Sequence, residues 1–114
     1  RTQSADIFSV YVGKGGGIGS ARKIAAVAQA AGLTCTVGSN LELGVASAAM
    51  IHLAKATSGI DAETYPCDII GTFYYETDLL LHPLPLQGGS AQCHELAGLG
   101  VELDDAQVRH FLRK

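Results

Sequence analysis

Asp6-Ile-Phe-Ser-Val-Tyr-Val-Gly-Lys-Gly-Gly-Gly-Ile-Gly-Ser20 decides the fold of this chain. Its first half reads as a strand. Phe8, Val10, Tyr11 and Val12 are aromatic or β-branched, and Gly13 ends the run. Ile7 to Val12 is apolar on both faces, as a buried parallel strand is. The second half is a glycine turn opening a helix, with Ser20 as the expected N-cap. A strand that stops in a turn just before a helix is where α/β folds place chemistry. Tyr11, Lys14 and the bare amides of Gly15 to Gly17 all sit at that end.

Working outward, Ser20 to Ala31 carries an expected apolar stripe of Ile24, Val27, Ala28 and Ala31, closed by Gly32. Leu33 to Val37 is a second strand, and Gly38 to Gly44 is its exit loop. An alanine-rich helix runs from Val45 to about Lys55. Ile60 to Tyr65 reads as a third, short strand. This β-α-β-α-β order implies a parallel sheet with right-handed crossovers. An open doubly wound sheet and a slice of a (β/α)8 barrel both fit. A barrel needs ~250 residues, so 114 residues make less than half of one.

Residues 1–66 form this partial β/α segment. After Pro66 the pattern changes, and residues 67–114 read as a wrapping segment. It holds a hairpin turning at Gly88-Gly89, an extended Gly98 to Leu103, and a short helix capped by Asp104 and running through Arg113.

Composition narrows the function. Hydrophobic residues make up 47% of the chain and charged ones 17%. That is rich for a small free-standing domain and points to apolar faces meant for neighbours. A start at Arg1 without a methionine is what a fragment or a processed product is expected to show. The net charge of −3 offers no basic stripe for nucleic acid. No apolar run is long enough for a membrane span. Three cysteines without a Cys-x-x-Cys pair read as reduced thiols of a cytoplasmic protein.

The glycine turn fails as a nucleotide loop. A Gly-x-Gly-x-x-Gly frame from Gly13 meets Ile18 at its third position, and one from Gly15 meets Ser20. Alternation sets Ser9, Tyr11 and Gly13 on one face of the first strand and Val10, Val12 and Lys14 on the other. Taken alone, Tyr11 reads as core and Lys14 as solvated. Glu42 and Glu63 end the second and third strands. On one rim with Tyr11 and Lys14 they suggest acid/base or ion-pair work, with a rim salt-bridge network as the plain alternative. His52 reads as a packed histidine, and Cys93-His94 lacks further ligands at zinc spacing.

Together these residues resemble the C-terminal end of the muconate lactonizing enzyme subgroup of the enolase superfamily. The likeness rests on Asp6 to Ile18, on Ala28-Gln-Ala-Ala-Gly-Leu33, and on Gly38-Ser-Asn-Leu-Glu-Leu-Gly44 with its helix to Ala54. Asp61-Ala-Glu63 and Gly98-Leu-Gly-Val-Glu-Leu-Asp104 complete it. The resemblance implies the sixth to eighth strands of an enolase-type (β/α)8 barrel plus the tail returning to a capping domain. It implies a divalent metal, Mg2+ or Mn2+, held by upstream residues, a small carboxylate substrate and an enolate intermediate. It implies proton abstraction or addition in a cycloisomerase, with a racemase, epimerase or dehydratase of the same superfamily as the alternative, and an inert barrel fragment as the other. A homo-oligomer is expected. Carried over by position, Tyr11, Lys14 and Glu63 would be catalytic, and Ser39, Asn40 and Glu42 would lie against substrate. Tyr11 stands where the family has its catalytic lysine. A neutral phenol there would act as a donor rather than a base.

Overall fold

The computed structural model describes residues 4–112. Two β/α units come first: β1 (Ile7–Val10), α1 (Ile18–Ala30), β2 (Thr34–Val37) and α2 (Gly44–Ala56). β1 and β2 pair in parallel, Ile7 beside Thr34 through Val10 beside Val37. A single 3-10 turn, Gly71–Tyr74, follows. Then come the hairpin β3 (Leu86–Gln87) and β4 (Ser90–Ala91) and the short helix α3 (Asp105–Phe111).

β1 stops two residues earlier than its composition suggests. Tyr11 and Val12 turn their carbonyls into the glycine loop, accepting from the amides of Gly15 (3.0 Å) and Gly17 (2.9 Å). Gly16 and Gly17 have φ of 85° and 95°, a region open to glycine and costly for other residues. α1 therefore starts at Ile18, and Ser20 lies inside its first turn rather than capping it. Its end forms a Schellman motif: Gly32 (φ 75°) donates to Gln29 and Leu33 to Ala28, both at 2.9 Å.

The buried face of α1 is Ala21, Ala25 and Ala28. Ile24 is half-buried, whereas Val27 is 71% exposed, so the expected stripe is turned by about one position. Small residues let the helix lie close on the sheet; Ile24 packs partly against the core, and Val27 looks outward, toward ground no described residue covers.

The expected third strand shrinks to one parallel bridge, Ile60 beside Cys35. The Asp61 carboxylate then accepts from the amides of Glu63 (3.2 Å) and Thr64 (3.0 Å) and bends the chain into a turn. Thr36 Oγ1 donates to the Tyr65 carbonyl at 3.0 Å, and the chain regains the sheet only when the Asp68 amide donates to Val37 at 2.8 Å.

One core joins both halves of the chain. Val10, Cys35 and Val37 from the sheet meet Met50, Ile51 and Leu53 of α2, together with Ile69, Leu80 and Leu84 from beyond Pro66. The tail is tied down by an antiparallel bridge between Leu80 and Leu103. Asp104 caps α3, accepting from Ala106 (2.9 Å) and Gln107 (3.2 Å). α3 ends at Phe111; the expected terminus Arg113 lies outside the described residues. No helix among them is long and apolar enough to cross a membrane.

Candidate active-site rim

The C-terminal ends of β1 and β2 bring two loops side by side. Gly38 closes the gap, donating its amide to Val10 at 3.0 Å. It must be glycine: a Cβ there would stand 2.5 Å from both Tyr11 Cζ and Ser9 Oγ. The Tyr11 ring thus lies against the start of the β2 exit loop. The Lys14 ammonium lies over that ring, 4.0 Å from its centroid, an attractive contact between a cation and a π face. Gly13 brings the turn against the second loop, its Cβ position 3.7 Å from Glu42 Oε1 and 3.8 Å from Asn40 Nδ2.

Glu42 organises that second loop. Its Oε2 accepts from Ser39 Oγ (2.9 Å) and the Asn40 amide (2.7 Å), and its Oε1 from Asn40 Nδ2 (3.0 Å). Partial burial pushes the carboxyl upward, but these hydrogen bonds together outweigh it and hold Glu42 below the usual range. Ser39 Oγ also accepts from the Leu41 amide at 2.7 Å. The rim salt-bridge alternative is not what holds Glu42: the ion pair among the described residues is Arg109 with Asp105, within α3.

The structure therefore gathers Tyr11, Lys14, Ser39, Asn40 and Glu42. Among the described residues no hydrogen bond or ion pair joins the Glu63 side chain to them. Glu63 is exposed in the turn between Ile60, level with Cys35, and Asp68, level with Val37. The residues beyond Ile60 that meet the Glu42 loop are Gly71 and Tyr75. A Cβ on Gly71 would run into the backbone of Leu41 and Glu42, and Tyr75 Oη donates to the Leu41 carbonyl at 3.0 Å. A further carboxylate, Asp78, caps α2 from a distance, accepting from the Gly44 amide at 3.0 Å at the positive end of the helix. Gly71, Tyr75 and Asp78 carry no sequence pattern that ties them to this loop; only the return of the chain does.

His52, Cys35 and Cys93 are packed groups. His52 Nε2 lies 3.1 Å from the Leu99 carbonyl. Cys35 is fully buried, and burial pushes its thiol up. Burial does the same to Cys93, against an opposing pull from Lys55. Among the described residues no three His, Cys, Asp or Glu side chains gather to hold a metal ion.

Residues 1–107 match the family described as enolase C-terminal domain-like. The chain belongs to that family. It is 34% identical over 113 residues to muconate cycloisomerase 1 of Rhodococcus opacus, an alignment that takes in 99% of this chain and 30% of that protein. The crystal structure of 2-chloromuconate cycloisomerase from Rhodococcus opacus 1CP superposes with a TM-score of 0.88 at 27% identity, over 97% of this chain and 29% of that one. A substrate-liganded L-Ala-D/L-Glu epimerase from Bacillus subtilis gives 0.77 at 30%, over 87% and 26%. This enolase-family chain thus has the fold of the C-terminal part of an enolase-type barrel, and it spans about 30% of the length of the curated relative.

Proposed function

We propose that the protein carrying this chain is a metal-dependent enzyme of the muconate cycloisomerase type. It would move a proton at the carbon beside a carboxylate of a small substrate, through an enolate. The observation that carries the reading is the meeting of Tyr11 and Lys14, from one strand end, with Ser39, Asn40 and Glu42, from the next, on the face where barrel enzymes work.

A bound Mg2+ or Mn2+ would stabilise the enolate's charge. The described residues do not form a site for it, and its ligands would belong to upstream strands of the proposed barrel. What this chain supplies is narrower. The Tyr11 phenol is a neutral proton donor beside the Lys14 cation, and that cation favours a substrate anion or a developing negative charge. Ser39 and Asn40 fix the Glu42 carboxylate and present the loop to the substrate. Racemisation or epimerisation at such a carbon is the second reading, favoured by the 30% identity to the epimerase.

The test is turnover by the full-length protein with Mg2+ or Mn2+ on muconates and on dipeptides, with deuterium exchange from solvent as a readout of proton loss. Tyr11→Phe is expected to lower kcat by about a hundredfold, the smaller end of acid/base effects, with KM little changed. Exchange that is unaffected by Tyr11→Phe and Lys14→Met would remove both from the chemistry. Glu63→Gln, run beside them, decides that residue: a comparable loss of kcat places it in catalysis, and an unchanged kcat leaves it a surface group.

A further inference from the structure

Leu41 has φ of 62°, and no other non-glycine among the described residues has a positive φ. A branched side chain holds that left-handed conformation only where its surroundings over-determine it. Three contacts do so here. The Leu41 amide donates to Ser39 Oγ at 2.7 Å, and its carbonyl accepts from Tyr75 Oη at 3.0 Å. The Gly71 backbone lies beneath the peptide joining Leu41 to Glu42, so close that a Cβ there would stand 2.5 Å from the Leu41 carbonyl carbon and 2.6 Å from the Glu42 amide nitrogen.

Two of these three come from one short segment about 30 residues further along the chain. That segment buries little else: Phe73 and Tyr74 are 68% and 64% exposed. We propose that Gly71 to Tyr75 is a latch on the substrate-facing loop, and that Tyr75 is a positioning residue for Ser39, Asn40 and Glu42. Tyr75 fixes Leu41; Leu41 fixes the Ser39 hydroxyl by donating to it; that hydroxyl donates in turn to Glu42 Oε2. Releasing the first bond lets the loop relax toward an unstrained backbone and scatters the donors that hold the carboxylate. The latch rests on the proposed function only in so far as the loop faces substrate.

The experiment is a double-mutant cycle on the full-length protein with Tyr75→Phe, Leu41→Gly and the pair, read by melting temperature and by steady-state kinetics. Both side chains are partly exposed, 48% for Tyr75 and 38% for Leu41, so the variants are expected to fold. With Leu41 present, Tyr75→Phe should lower Tm and raise KM roughly two- to tenfold, the span of one net hydrogen bond, while kcat changes little. In the Leu41→Gly background the backbone adopts φ 62° freely, so loss of the Tyr75 hydroxyl should leave KM nearly unchanged, while its cost in Tm should be larger than with Leu41, because no strain is released to offset the lost bond. Additive losses in Tm together with an unchanged KM would overturn the latch. Coupling in Tm without turnover of any carboxylate would uphold the latch and sink the enzymatic reading; turnover without coupling would do the reverse.

Discussion

The carboxylate of Glu42 accepts three hydrogen bonds from its own loop, and they govern the pH at which the loop holds. Burial alone would raise its pKa, yet the donors of Asn40 and Ser39 bring it below the ordinary 4.5. A carboxyl whose folded pKa is depressed adds stability that is complete above its unfolded value and is lost as pH falls through the folded one. Glu42→Gln should therefore be less stable than the native protein at pH 7, and the gap should close as pH falls below 4.5. Urea midpoints of the two proteins between pH 7 and pH 3 check this; a gap that stays constant would mean that the charge contributes nothing to the loop. At this scale the sequence is readable in part. Tyr11, Lys14, Ser39, Asn40 and Glu42 lie within a few residues of two strand ends, so counting along the chain finds them. Tyr75 meets Leu41 across 34 residues, and no local pattern records such a contact.

At the scale of elements, chain spacing locates the two strands and two helices but not their details. Periodicity predicts that α1 buries its largest side chains. Of the expected stripe Ala28 is buried and Ile24 half-buried, while Val27 and Ala31 are exposed; Ala21 and Ala25 complete the buried face, where small residues let the helix approach the sheet. The third strand fails for a different reason: the Asp61 carboxylate offers the amides of Glu63 and Thr64 a local partner that competes with the ladder. That local bond also leaves Glu63 in a turn rather than in the expected strand. The glycines divide in the same way. Gly38 is squeezed between Ser9 and Tyr11, while Gly19, inside α1, has nothing within 4 Å of its Cβ position. Gly38→Ala should cost about 1–3 kcal/mol, as overpacking does, and displace the Tyr11 ring with loss of activity. Gly19→Ala should instead stabilise by about 0.5–1 kcal/mol through helix propensity. Denaturant midpoints on both variants test the contrast, and equal effects would show that the ring does not rest on Gly38.

Across the whole molecule, the high apolar content finds its explanation in what is left uncovered. β1 has a partner on one side only among the described residues, and its Ile7 and Phe8 are 40% and 43% exposed. There Phe8, Ile24, Val27, Ala28, Ala31 and Leu33, with Lys23 among them, line an open and largely apolar groove of about 380 Å³. The repeat of strand and helix is legible because each unit is local; closure of a barrel is not, because it depends on strands this chain does not contain. On the proposed reading the occupant of the groove is the preceding β/α unit, its strand beside β1 and its helix against Val27. Strand edges and apolar faces left open in this way invite association. The 114-residue chain by itself should therefore self-associate with rising concentration, and a polypeptide carrying the upstream units of the same protein should convert it to a one-to-one complex. Val27→Lys adds a second cation to the groove beside Lys23, at a position that is 71% exposed, where it costs the isolated chain little, and should weaken both kinds of association. Light scattering of the wild-type and Val27→Lys chains, with and without the upstream polypeptide, measures this. A chain that stays monomeric at every concentration and ignores the upstream units would mean that the groove is solvent-facing surface and that the barrel closes elsewhere.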